Sequence, residues 1–370
     1  MQLSPAPGMT PLALTLLRDL LVRLDPAVRI AVLVEPESDL ERVQALARAY
    51  GAADGTRVRF VKVSSATFYS RDNGRAAVDA HGFPALLVPR GFRPERGRDE
   101  DAVGTAEAQR ALGVRVVRSR AYWEGGNVIH DADHCLVGAD TIAYNRARLG
   151  LTAREARTLL EADLGTAVHV LGDVARARFD VEDEKMAPSG QAAFHIDLDA
   201  MLLGRLGRRA QPVALLADPA RGLRLLDPVL AHRLAFARHL VPARRARGLL
   251  AAEFEAAARE RHPALAAYRA RLEGLGYRVV GLPDLRMPHK DGVLGETRLD
   301  LTYCNVLPGL RAGRPSVHYL PWGIPALDRA AEARYRAAGV EPVRVSTDPG
   351  VAGALMQLDA GLHCFCGPLP

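Results

Sequence analysis

The sequence predicts an α/β fold, and three observations carry that prediction. Apolar runs of strand length alternate with helical patterns from one end to the other. At 370 residues with 48% hydrophobic content the chain can bury a large core. No stretch reaches the roughly 18 consecutive apolar residues of a membrane span.

Taken in order, residues Met1 to Arg29 read as an amphipathic helix. The apolar stretch Pro11 to Leu17 is interrupted by Arg18, Asp19 and Arg23 and lacks a small-residue cleavage site, so a secretory signal is not expected. Strands are predicted at Val28–Val34, Val58–Val63, Ala85–Val88, Val114–Val117, Asn127–Ile129, Ala167–Leu171 and Ala193–Leu203. Further strands are predicted at Pro212–Leu216, Tyr277–Gly281, Asp300–Leu307, Val317–Leu320, Val343–Val345 and Gly361–Cys366. Helical patterns fill the intervals at Asp39–Tyr50, Ala106–Leu112, Thr152–Ala162, Pro228–Ala235, Ala326–Ala338 and Val351–Leu358. A long helix is predicted at Ala246–Leu275, and the Ala- and Arg-rich segment 242–276 around it carries so many charges that it suits a surface insertion, a helical hairpin being the alternative form. Linkers of low complexity are absent, so residues 1–370 are expected to form a single domain.

The net charge of +6 comes from 49 basic residues, of which only Lys62, Lys185 and Lys290 are lysines. Arginine is spread along the chain without interleaved aromatics, which argues against a nucleic-acid partner. Four cysteines, Cys135, Cys304, Cys364 and Cys366, are too few for a disulfide framework in a chain this long. A reduced, cytoplasmic setting is the expectation, and it permits a reactive thiol.

Two common α/β chemistries fail on residues. The turn after the first predicted strand, Val34-Glu-Pro-Glu-Ser-Asp39, has no glycine and carries acids that repel phosphate. A Gly-x-Ser-x-Gly nucleophile elbow is absent.

Five short segments carry chemistry instead. In His195-Ile-Asp-Leu-Asp199, a strand would put His195, Asp197 and Asp199 on one face, and burying a carboxylate without a partner costs several kcal/mol. Such a strand borders either a site or water. In Gly361-Leu-His-Cys-Phe-Cys-Gly367, alternation would align Cys364 with Cys366; either is an inert core thiol or a nucleophile that needs an acid/base such as His195. Arg71-Asp72-Asn73-Gly74 has turn composition, Trp123-Glu-Gly-Gly-Asn127 allows a sharp bend beside a ligand or merely connects two strands, and Asn305 is the single amide in Leu301-Thr-Tyr-Cys-Asn305.

This ordered set resembles the agmatine deiminase and bacterial peptidylarginine deiminase family of guanidino-group-modifying enzymes. Arg71-Asp72-Asn73-Gly74 is similar to its Arg-Asp-x-Gly, Glu124-Gly125-Gly126-Asn127 to its Glu-Gly-Gly segment, and His195-Ile-Asp197 to its His-x-Asp. Thr302-Tyr303-Cys304-Asn305 is similar to its Ser-Tyr-x-Asn, and His363-Cys364 to its terminal His-Cys. The resemblance implies a five-bladed, pseudo-fivefold α/β propeller, the pentein fold, built from ββαβ-type units. It implies Cys364 as nucleophile, His195 as acid and base, and Asp72 and Asp197 as the carboxylates that grip a guanidinium. Arg71, Glu124, Asn127, Tyr303 and Asn305 would line the substrate. No cofactor, metal or membrane is implied, and the oligomeric state is left open.

The family's tryptophan-rich elements are missing, and the corresponding stretch, residues 88–101, carries Arg90, Arg93, Arg96 and Arg98. Either the stretch is a solvent-exposed loop of self-compensating charges, or Arg93 and Arg96 suit a substrate carboxylate, which favours an arginine-containing peptide, then free arginine, then agmatine. Three rivals are an amidinotransferase, a non-catalytic binding propeller, and a metal hydrolase using His130-Asp-Ala-Asp-His134 with His195 and Asp197. The last segment is rich in turn formers and reads better as a hairpin.

Overall fold

The computed structural model describes residues 2–3, 10–35, 40–50, 57–64, 70–79, 81–91, 101–180, 185–187, 190–207, 210–225, 243–286, 300–346, 351 and 361–367. The helices expected at Pro228–Ala235 and over most of Val351–Leu358, and Arg93 and Arg96, lie outside these residues. The chain divides into two compact units, one comprising Met1–Ile196 with His363–Pro370 and the other Asp197–Leu362.

The first unit contains three sheets of three strands. In the first, Gln2–Leu3, Ile30–Val34 and Val58–Lys62 all run parallel, with helices Thr10–Arg23 and Leu40–Ala49 between strands. Ile30–Val34 is buried throughout, as a parallel strand covered on both faces must be. In the second, Arg75–Val78 pairs antiparallel with Pro84–Val88, which pairs parallel with Arg115–Arg118 across helix Asp101–Ala111. The third repeats this: Val128–His130 antiparallel to Cys135–Gly138, then parallel to Val168–Leu171 across helices Ala139–Leu149 and Ala153–Leu164. A tight turn can only return the chain antiparallel, whereas a helical crossover restores the direction. Trp123, Val128, Val137 and Ile142 pack in one buried cluster that backs the loop carrying Glu124. A small ribbon, Arg178–Asp180 with Lys185–Ala187, completes the described strands of this unit.

The second unit uses the same scheme twice. Ala200–Gly204 pairs antiparallel with Val213–Asp218, then parallel with Arg278–Arg286, and Asp300–Thr302 adds an antiparallel edge. Leu307–Arg311 pairs antiparallel with Arg314–Tyr319, which pairs parallel with Glu341–Arg344 across helix Pro325–Ala338. That helix starts on proline and stops at Gly339 with φ 94°, a left-handed conformation in which a side chain is strained.

Two expectations need correction, whereas the long helix expected at Ala246–Leu275 forms as Ala243–Gly274, continuous and not a hairpin. Its Phe254, Ala257, Arg261, Leu265, Tyr268 and Leu272 are buried at helical spacing, so one stripe packs inward while the charges face out. Residues 193–203 do not form one strand: a 3₁₀ turn, Ile196–Leu198, precedes strand Ala200–Gly204. Residues 361–366 contain the short helix Leu362–Phe365, so Cys364 and Cys366 do not alternate along a strand. Both misread segments are apolar and short, where periodicity cannot separate a strand from a turn. Among the described residues no helix is long and apolar enough to cross a membrane.

Candidate functional site

In the first unit two 3₁₀ turns meet backbone to backbone. One, Ser70–Asn73, presents Arg71 and Asp72; the other, Gly125–Asn127, follows Glu124. A Cβ on Gly125 would stand 1.9 Å from the carbonyl oxygen of Arg71, a distance no side chain tolerates. Gly126 donates its amide to Asp72 Oδ1 at 3.2 Å, and a Cβ there would lie 2.3 Å from His195 Nδ1. The paired glycines therefore let the loop lie flat against the imidazole.

On the other side of the ring, His195 Nε2 is 2.7 Å from Glu124 Oε2, with side-chain exposures of 5% and 6%. Asp72, Glu124 and His195 thus converge, each offering a ligand atom within 4.8 Å of the others. This is the one group among the described residues that could hold a metal ion, although Glu124 is already engaged by the imidazole.

His195 is held by its backbone as well. Asn127 Nδ2 donates to Phe194 O at 3.0 Å, while Asn127 Oδ1 accepts from Ile196 N at 3.2 Å and from Gln191 Nε2 at 2.9 Å. Gln191 Nε2 also donates to Phe194 O at 2.8 Å, and its Oε1 accepts from Asp140 N at 3.2 Å. A Cβ on Gly138 would come within 2.1 Å of Gln191 and 2.6 Å of Asn127, so glycine leaves room for this amide pair. The Phe194 ring lies 4.4 Å from the imidazole, tilted by 38°. Gln191 and Phe194 escaped the sequence reading; their signal was only adjacency to His195.

All four cysteines are free and buried. Burial raises the Cys135 thiol, against an opposing pull from Arg75, and raises Cys304 well above the ordinary range. Burial also pushes Cys366 up to about 12 despite the charge of Arg71. Cys364, 6% exposed, is the least enclosed of the four and belongs to the unit that carries Asp72, Glu124 and His195.

The second unit begins at Asp197, which is fully buried in the 3₁₀ turn Ile196–Leu198. Asp199, expected on one face with His195 and Asp197, is instead paired with Arg261 at 2.6 Å and lies 3.1 Å from Arg286. Tyr303 donates its hydroxyl to Asp328 Oδ1 at 2.6 Å, and its carbonyl accepts from Tyr335 at 2.5 Å. Burial, then the Asp328 charge, raises that hydroxyl well above its ordinary range, so it stays a donor. Trp322 donates its indole N–H to Thr302 O at 2.9 Å. Gly361 lies against the Asn305 amide, where a Cβ would be 2.6 Å from Oδ1. His130–His134 closes an antiparallel hairpin through Asp131 Oδ1, which accepts from the amides of Asp133 and His134 at 2.9 Å each. It contributes to no metal-ligand group among the described residues.

The chain has the α/β fold of the pentein deiminases. A protein assigned as an arginine deiminase from Porphyromonas gingivalis superposes with a TM-score of 0.58 at 19% identity, covering 98% of this chain and 93% of that one. A cysteine-to-serine variant of the C. jejuni agmatine deiminase with substrate bound gives 0.57 at 14% identity, covering 99% and 91%. A further protein assigned as an agmatine deiminase gives 0.59 at 13% identity, covering 100% and 92%. No protein-family model and no curated protein matches the sequence.

Proposed function

We propose that this chain is a cysteine hydrolase that converts the guanidinium of an arginine-type compound into a ureido group and ammonia. The observation that carries the proposal is the buried Glu124–His195 pair beside Asp72, in the unit that also holds Cys364. A guanidinium is planar, permanently charged at neutral pH and matched by carboxylates that accept parallel hydrogen bonds. Asp72 would take that cation, and the resemblance gives the same part to Asp197, two residues beyond His195 in sequence. Its charge offsets the cost of burying the carboxylates, so neutral ureas, the product included, should bind poorly.

Cys364 Sγ adds to the guanidinium carbon, giving a tetrahedral adduct. The C–N bond breaks as His195 delivers a proton to the departing nitrogen, which leaves as ammonia. His195 then takes a proton from water, whose oxygen adds to the thiouronium carbon; the C–S bond breaks to restore the thiolate, and the remaining hydroxyl proton passes to solvent, matching the one ammonia takes up, to leave the neutral ureido group. Glu124, on Nε2, fixes the ring and stabilises the imidazolium at each protonated stage. Cys366, held as a thiol by burial, is unsuited to the nucleophile's part.

The five-bladed arrangement around a pseudo-fivefold axis, a single catalytic domain and a cytoplasmic location belong to this proposal. So does the preference for an arginine-containing peptide over free arginine and agmatine, which rests on Arg93 and Arg96. Mass spectrometry of all three substrate classes after incubation tests it. A gain of about one dalton, the exchange of an imine for an oxygen, is expected with ammonia release and no added amine. Strict dependence on an amine acceptor would make the chain an amidinotransferase, and loss of activity on chelation would favour a metal held by Asp72, Glu124 and His195.

A further inference from the structure

Asp197 sits in a 3₁₀ turn of three residues, and such a turn has little rigidity of its own. The carbonyl of Leu198, one residue on, accepts two hydrogen bonds: from Thr302 Oγ1 at 2.6 Å and from Arg286 Nη2. Thr302 Oγ1 in turn accepts from the amide of Cys304 at 3.1 Å, so the hydroxyl is used in both directions and cannot rotate freely. The carbonyl of Asp199 accepts from Ala217 N at 2.7 Å, tying the other flank of the turn to the sheet.

Arg286 is itself held. Its Nη1 lies 3.1 Å from Asp199 Oδ1 and its Nε 3.3 Å from Asp284 Oδ1. Arg261, reaching in from helix Ala243–Gly274, bridges Asp284 Oδ2 and Asp199 Oδ1 at 2.6 Å each. Two arginines thus face two carboxylates in a region where their exposures run from 0 to 9%, and Asp300, whose carboxyl burial raises, is electrostatically coupled to all four. Buried networks of this kind add little net stability over apolar packing, because desolvation offsets attraction. What this one supplies is geometry: it fixes Arg286, which with Thr302 gives the Leu198 carbonyl two donors.

We infer that Thr302 and Arg286 are positioning residues that fix the carboxylate of Asp197 through the Leu198 carbonyl, with Asp199, Asp284 and Arg261 holding Arg286 in place. The inference rests on the reading of Asp197 as a guanidinium-binding carboxylate. Neither positioning residue touches the reacting atoms; both act through the turn.

A double-mutant cycle tests it with the full chain and the best guanidino substrate found. Thr302→Val keeps the shape and removes the hydroxyl, and it should lower kcat/KM about tenfold, the effect of losing one buried hydrogen bond. Thr302→Ser restores the hydroxyl and should return activity to within about twofold of wild type. In an Asp197→Asn background Thr302→Val should cost less than about twofold, because its target is already gone. An equal loss in both backgrounds, or none in the wild type, overturns the positioning role while leaving the deiminase intact. If the wild type releases no ammonia, or Asp197→Asn is as active as wild type, the underlying functional reading fails instead. Melting curves accompany each variant, and a loss of kcat/KM in a chain that melts as wild type does supports the inference.

Discussion

Gly126→Ala should separate catalysis from folding. A Cβ at this position would stand 2.3 Å from His195 Nδ1 and 2.8 Å from Cγ, whereas ordinary contact begins at 3.4 Å, so the ring must retreat by about 1 Å. That retreat pulls against the 2.7 Å bond to Glu124 and the backbone ties of Asn127 and Gln191. A displacement of about 1 Å in a catalytic group costs on the order of 100-fold, or about 2.7 kcal/mol of transition-state stabilisation. The affected atoms belong to a side chain and not to backbone, so the fold should survive. By contrast, Gly125→Ala drives a Cβ into the Arg71 backbone at 1.9 Å and should lower the melting temperature markedly. The assay is steady-state ammonia release beside thermal unfolding monitored by circular dichroism. A Gly126→Ala enzyme with wild-type kcat/KM would refute the placement of His195 in the chemistry.

Other outcomes follow from the same geometry. Glu124→Gln keeps the shape but removes the charge from Nε2; losing a charge-assisted bond costs about 1.5–3 kcal/mol, so ammonia release should fall by roughly 10- to 150-fold. Iodoacetamide at neutral pH should label Cys364 before any other cysteine, since burial keeps Cys366, raised to about 12, in its thiol form; peptide mapping that finds Cys366 labelled first would contradict this. Burial opposes ionisation of Asp163, but bonds from Ser119 and from Arg120 and Ala121 outweigh it and hold the carboxyl below its usual value. A depressed carboxylate stabilises the fold above its unfolded value near 4 and loses that contribution as pH falls through the folded value. Asp163→Asn should therefore lower the melting temperature at pH 7 and flatten its decline below about pH 4.

The alternation of strands and helices was legible because buried parallel strands read as apolar runs and crossover helices as amphipathic ones. Ile30–Val34 and Pro325–Ala338 are clear examples, the second marked by Pro325 and Gly339 at its ends. The Asp72, Glu124 and His195 segments were legible only as an ordered set of short motifs. Their convergence was not, since Glu124 and His195 lie 71 positions apart. Period-two reasoning failed at His195–Asp199 because hydrophobic flanks surround a 3₁₀ turn, and it assigned Asp199 to the site's face. Asp199 instead faces Arg261, 62 positions away, a pairing that no local pattern encodes. The long helix was legible as a helix, but its surface charges, which outnumber the buried stripe from Phe254 to Leu272, left a hairpin open beside it.

In the proposed reaction Cys364 carries the guanidinium carbon through a covalent adduct. Rapid acid quench of the working enzyme, followed by intact-protein and peptide mass spectrometry, examines that bond directly. An adduct equal in mass to the substrate less ammonia is expected on Cys364, with no turnover in Cys364→Ala. Full activity in Cys364→Ala, or an adduct on Cys366 in its place, would contradict it.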